Sequence, residues 1–270
     1  CRMIPNPHLI RYSTILHEDL PPLVWDVEPL VSRGDRVVIF GEFASMKSWL
    51  GYSLMLHLAA GQSWLGHFPI AERRCALYID EEMNERTLRR RIKRLGMGAG
   101  IVDAPDLVFL SRAGVYFDAF GSGSLLAHLK RLDYVPQVVL VDALRRVLLG
   151  DENTAKDIAA FWRNLEPISR QGITVIVMHH MNKPPPQGRR AARYRASGAT
   201  DILAGSDAAF AVERLDGGQA RITAIKARDS EELPPFVVRL DDAGDRQGPI
   251  TLTLVGSETV DASPFTAPLA

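Results

Sequence analysis

The feature that most constrains this chain is an alternation that begins at Arg36. Five short runs rich in Val, Ile and Leu (RVVIF, CALYI, LVFL, QVVLV and ITVIVM) are separated by longer stretches of helical period. Short apolar runs without polar alternation are what strands buried on both faces require. Strands alternating with helices lead to a parallel sheet with crossover helices. Helices are predicted at about 47–60, 84–96, 122–133 and 155–170, the last with Ile158, Phe161, Trp162 and Leu165 on one face. After Met178 the pattern changes: DAAFAVERL, ARITAIKA and FVVRL follow, with Asp216, Gly217 and Gly218 between the first two. That is the pattern of an antiparallel β-hairpin extension at the sheet edge. The expected fold class is therefore α/β, a parallel sheet flanked by helices with a C-terminal antiparallel extension. Residues 1–34, with Pro5, Pro7, Pro21, Pro22 and Pro29, are expected as an extended lead-in, 35–256 as the domain and 257–270 as a loose tail.

Composition excludes several classes of function. A chain of 270 residues can bury about three quarters of its unfolded surface without a disulfide or structural metal. Its 32 Lys+Arg balance its 32 Asp+Glu, so only local clusters argue for nucleic acid. The two cysteines, Cys1 and Cys75, make neither a disulfide framework nor a cysteine zinc site, and a reducing, cytoplasmic setting fits. No apolar run approaches the roughly 20 residues of a membrane span, and none after the N-terminus makes a signal peptide. The chain opens with Cys1 and not Met, so it is expected to be trimmed or part of a longer product.

The first strand runs into Gly41, Glu42, Phe43, Ala44, Ser45, Met46, Lys47, Ser48 and Trp49, and then into a helical stretch. A glycine-bearing turn between strand and helix, closed by Lys-Ser, suits a nucleotide phosphate. Loop N–H groups would face the β-phosphate, Lys47 would reach the β- and γ-phosphates of ATP, and Ser48 would place its hydroxyl on Mg2+. Met46 stands where such loops usually keep a glycine. The second strand ends in YIDEEMNE, and a carboxylate there is placed to deprotonate an attacking water. Glu82 is the first choice and Glu81 the reserve, while all four acids in 80–85 also suit the start of the next helix. Asp142 closes the fourth run in the manner of a Walker B aspartate that supports the metal. His180, at the end of the fifth run, can bond the γ-phosphate and report its loss.

In this order the motifs GEFASMKSWL, AAGQSWLG, ALYIDEE, VDALRRVLLGDEN, VIVMHHMNK, RASGATDILAGSDAAFAVER and KARDS resemble the RecA/DnaB-type ATPases. Within them the likeness is greatest to the RepA-like branch of hexameric replicative helicases, and it covers about residues 22–240. The resemblance implies a RecA-like fold, Glu82 as the water-activating base and His180 as the sensor. It implies that Lys226 and Arg228 match a Lys-x-Arg pair reaching into a neighbour's site, so that the active form is a homo-oligomer, most simply a hexamer. It also places channel loops over 144–153 and 183–198, the second carrying Lys183, Arg189, Arg190, Arg193, Tyr194 and Arg195, which would grip single-stranded DNA, cations tracking phosphates and one ring stacking on a base. The expected activity is ATP hydrolysis by a helicase-like motor. A regulatory ATP-binding switch without translocation and a recombinase-like filament are the alternatives.

Overall fold

The structure is a computed structural model, and it describes residues 11–17, 19, 22–180, 199–229 and 233–257. After helix α1 (Tyr12–His17) come a small hairpin of β1 (Trp25–Val27) and β2 (Val31–Ser32), then β3 (Arg36–Gly41), α2 (Lys47–Ala60), β4 (Ala76–Asp80), α3 (Glu85–Ala99), β5 (Leu107–Ser111) and α4 (Gly121–Arg131). The chain continues through β6 (Val138–Asp142), α5 (Leu144–Val147), α6 (Ala155–Ser169), β7 (Thr174–His180), α7 (Ala199–Gly205), β8 (Ala208–Arg214), β9 (Gln219–Ala227), β10 (Phe236–Asp242) and β11 (Ile250–Ser257).

Among the described residues the main sheet runs β11-β10-β9-β8-β3-β7-β6-β4-β5. Strands from β8 to β5 in that order are parallel, and β9, β10 and β11 extend the β8 edge in antiparallel fashion. Successive side chains of a strand face opposite ways, and the runs supply apolar groups to both. Val37, Ile39, Tyr78, Leu140 and Met178 pack under α2 and α3, whereas Val38, Phe40, Leu77, Ile79, Val139, Val141 and Val177 pack under α4 and α6. Helix α2 lies so close to the sheet that a Cβ on Gly51 would fall 2.2 Å from the Met178 Cε. Side chains close the starts of two helices, Asn84 bonding the Thr87 N–H and Thr154 the Asp157 N–H, each cap contributing about 1 kcal/mol.

The expected α/β class and edge extension are present, with two differences in detail. The lead-in is not extended throughout: β1 and β2 pair, and Val27, Leu30 and Val31 are buried in the core. The last strand, β11, continues through Ser257 and pairs with β10. It is tied down by Arg94 of α3, which donates to the Gly248 carbonyl in the segment leading into it and to Asp242 at the end of β10.

Candidate nucleotide-binding site

Strand β3 has β7 on one side and β8 on the other, a place where connections diverge and leave a crevice beyond the strand ends. The loop of residues 41–46 occupies it. Gly41 admits no side chain, since a Cβ there would lie 2.4 Å from the Val212 carbonyl oxygen. Ala44 and Met46 hold left-handed backbone, at φ 60° and φ 72°. For a residue with a Cβ this costs about 1–2 kcal/mol. Met46 keeps the backbone a glycine would take, and its half-buried side chain packs against the core under α2, which offsets part of that cost. Met46 sits at the N-cap of α2 and its side chain caps nothing. The first N–H groups of α2 thus lack the side-chain acceptor that α3 and α6 have, and they face the loop as anion-receptive donors.

Lys47, 6% exposed, turns its amine onto the loop itself, donating to the carbonyls of Gly41 at 2.9 Å and Glu42 at 2.8 Å. Burial lowers its pKa to about 8 against the opposing pull of Asp142, Glu82 and Glu42, so the amine is largely charged at neutral pH. Parallel register sets Asp80 of β4 beside Asp142 of β6. Burial pushes the Asp142 pKa up to about 6, against the lowering effect of the nearby Ser48 hydroxyl and of the bond from Tyr78, while Asp80 and Glu82 raise it further. A buried carboxylate next to a hydroxyl is a hard-oxygen pair short of positive charge, and such a pair fits Mg2+, which needs few protein ligands. Ser48 and Asp142 would hold the ion.

Glu82 lies over the same strand ends. Its Oε1 is 3.4 Å from the His180 Nε2, and this bond, with further help from the charges of Arg146 and Lys47, holds its carboxyl below the usual range against the effect of burial. His180 is in register with Gly41, and the Phe43 ring, 84% exposed, stands 6.5 Å from the His180 ring. Glu81 points elsewhere, accepting from the backbone N–H groups of Gly114 and Val115. The structure therefore brings Lys47, Ser48, Asp142, Glu82 and His180 to one edge of the sheet.

Lys226 and Arg228 lie at the opposite end. The Lys226 amine donates to the carbonyls of Leu203 and Ser206 at the end of α7, and Arg228, 54% exposed on its side chain, pairs with Asp207 at 3.0 Å. Asp207 also binds the Arg36 backbone, five residues of β3 from Gly41, or roughly 16 Å at strand rise. Neither cation reaches the loop of its own chain. Lys183, Arg189, Arg190, Arg193, Tyr194 and Arg195 lie outside the described residues.

Three buried residues beneath the site were given no part in it by the sequence. Tyr78 donates to Asp142 Oδ2 at 2.8 Å, Tyr52 donates to Asp80 Oδ2 at 2.6 Å, and Asp80 Oδ1 accepts from the N–H groups of Glu82 and Met83. A tyrosine in an otherwise apolar strand run was the available signal, because a buried phenol needs a partner.

Residues 12–186 match the AAA domain family. No curated protein matches the sequence. Among solved structures, a DnaB-like replicative helicase described with its primase interactions aligns with a TM-score of 0.61 at 14% identity, over 82% of this chain and 57% of that one. A second solved structure, described as an ATPase domain, aligns with a TM-score of 0.59 at 15% identity, over 84% of this chain and 86% of that one. The KaiC-like protein PH0186 from Pyrococcus horikoshii OT3 gives 0.56 at 12% identity, over 87% and 99%. The chain thus spans little more than half the length of the DnaB-like helicase, and identities this low speak for the fold alone. With the family match covering more than half of the sequence, the chain belongs to the AAA domain family and has the fold of a RecA/DnaB-type ATPase.

Proposed function

We propose that this domain hydrolyses ATP as a subunit of a RecA-like ring motor acting on single-stranded DNA, in the manner of a RepA-like replicative helicase. The observation that carries the reading is the convergence of Lys47, Ser48, Asp142, Glu82 and His180 on a loop that keeps left-handed backbone at Met46. In this reading the α2 N–H groups and Lys47 bind the β- and γ-phosphates, which requires the amine to leave the carbonyls of Gly41 and Glu42. Glu82, ionised by its bond to His180, orients and deprotonates the attacking water. His180 bonds that carboxylate and is the last residue of β7, so loss of the γ-phosphate changes its bonding and passes to the residues that follow it in the sequence. Mg2+, when bound by Ser48 and Asp142, neutralises charge on the transferring phosphoryl group.

Lys226 and Arg228 complete the site of a neighbouring copy. Their distance from their own loop supports that role, and a cation supplied in trans contributes about 10³–10⁵ in rate. Arg189, Arg190, Arg193, Tyr194 and Arg195 contact the DNA strand; the likeness to a DnaB-like helicase supports that partner and a homo-oligomer, a hexamer in the simplest case. A second reading, a nucleotide-binding switch with slow hydrolysis and no translocation, is favoured by Met46 in the loop and by the inward-turned Lys47 amine. ATP turnover with and without single-stranded DNA, run beside a native mass measurement in ATP, separates the two. Turnover stimulated by DNA in an assembly larger than a monomer supports the motor, and slow turnover indifferent to DNA supports the switch.

A further inference from the structure

Beneath the carboxylates lies a polar layer that the proposed reaction does not use. Tyr52 of α2 and Tyr78 of β4 are wholly buried, with ring centroids 4.8 Å apart. Each gives its hydroxyl to a different buried aspartate, Tyr52 to Asp80 and Tyr78 to Asp142. Phenylalanine would fill the same space at these positions. The extra oxygen must be desolvated, which is unfavourable unless it is hydrogen-bonded, so what distinguishes tyrosine here is the carboxylate it holds.

For Asp142 the consequence is directional. Rotation about the bond to a carboxylate is soft and roughly two-fold, so a buried aspartate needs contacts to fix its plane. The Tyr78 O–H occupies Oδ2 from the β4 side, and the Ser48 hydroxyl at the start of α2 is near enough to this carboxylate to favour its charged form. With one oxygen pinned by the neighbouring strand, the acceptor capacity that remains is presented to Ser48 and the phosphate loop. We propose that Tyr78 is a positioning residue for the metal side of the site, fixing the Asp142 carboxylate in the orientation that Mg2+ and its waters require. The assignment rests on the ATPase reading above. Tyr52 supplies an internal comparison, because it makes the same kind of bond in the same aromatic pair but to Asp80, whose other oxygen holds the Glu82 turn.

The test uses the full chain, its Tyr78→Phe and Tyr52→Phe variants, and a slowly hydrolysed fluorescent ATP analogue. Analogue binding is titrated first in EDTA and then, at fixed analogue, against Mg2+. Partners that orient a metal ligand are typically worth 10–100-fold in metal affinity. Tyr78→Phe should therefore raise the Mg2+ half-saturation about tenfold or more while binding in EDTA stays near wild type, and Tyr52→Phe should leave the Mg2+ titration where it is. A Tyr78→Phe titration that superimposes on wild type overturns the assignment and leaves the ATPase reading intact. Equal shifts in both variants, or loss of binding in EDTA by Tyr78→Phe, overturn it by showing general loosening. A wild type that binds no analogue under either condition removes the ATPase reading, and the role of Tyr78 with it.

Discussion

Replacing Met46 probes the phosphate loop more sharply than removing its lysine, because the effect is predictable in sign for two opposite changes. Met46 sits at φ 72° and ψ 8°. Glycine there relieves about 1–2 kcal/mol of left-handed strain and adds back about 0.5–1 kcal/mol of unfolded-chain entropy. It also forfeits about 1 kcal/mol of packing, half of what a fully buried methionine contributes. These effects nearly cancel, so Met46→Gly should shift unfolding stability by no more than about 1 kcal/mol and bind nucleotide at least as well as wild type. Met46→Val adds a β-branched side chain at a conformation such residues avoid, costing about 1–3 kcal/mol. A loop under that load gives up its backbone, and nucleotide affinity should fall at least about tenfold, equivalent to 1.4 kcal/mol. Urea unfolding and titration with a fluorescent ATP analogue read the two quantities. Wild-type affinity in Met46→Val, or lost binding in Met46→Gly, would refute the proposition that the left-handed backbone is what the loop preserves.

Other perturbations follow from the same geometry. Gly41→Ala drives a Cβ to within 2.4 Å of the Val212 carbonyl and should cost about 1–3 kcal/mol in a denaturant melt; an unchanged midpoint contradicts the close approach. Glu82→Gln should still bind ATP but lose about 10²–10⁴ in turnover. Glu81→Gln, whose carboxylate serves Gly114 and Val115, should lose about 1 kcal/mol of stability and little turnover, and the reverse pattern would exchange their roles. Because the Asp142 pKa is raised from 3.8 to about 6, its contribution to the stability of the metal-free protein is present below about pH 4 and lost as pH rises through 6. Asp142→Asn should accordingly stabilise the metal-free protein at pH 8, by at most about 3 kcal/mol, and Mg2+-dependent binding by wild type should weaken as pH falls below 6. A melt or titration flat across that range would contradict the burial of an ionisable Asp142.

The parallel strands were legible in the sequence because strands covered on both faces leave uninterrupted apolar runs, and their order placed Asp142 and His180 at strand ends and Lys47 at the start of the first crossover helix without any coordinates. What stayed illegible is what the tertiary register creates. Strand β11 alternates Thr with Leu and reads as neither core nor helix; it is secured by pairing with β10 and by Arg94 reaching from α3 to the segment before it. Val27, Leu30 and Val31 looked like part of a proline-rich lead-in, and only the apolar surface under α2 gives them a core to join. Tyr78 reads as one more core aromatic until the pairing of β4 with β6 sets it opposite Leu140 and brings Asp142, 64 residues away in the chain, within reach of its hydroxyl. The choice between Glu81 and Glu82 depends on the loop after β5, whose two N–H groups take up Glu81. Lys226 showed no sign of its bonds to the end of α7, since a seven-residue helix leaves a weak periodic signal.

The central claim is that the turn from β3 into α2 binds a nucleoside triphosphate with a thioether in place of glycine. Calorimetric titration of the intact chain with Mg-ATP, beside its Lys47→Ala variant, measures this directly. Saturable one-site binding by wild type that weakens by tenfold or more in the variant is the predicted result. No heat of binding in wild type, or the same affinity in both proteins, would contradict it.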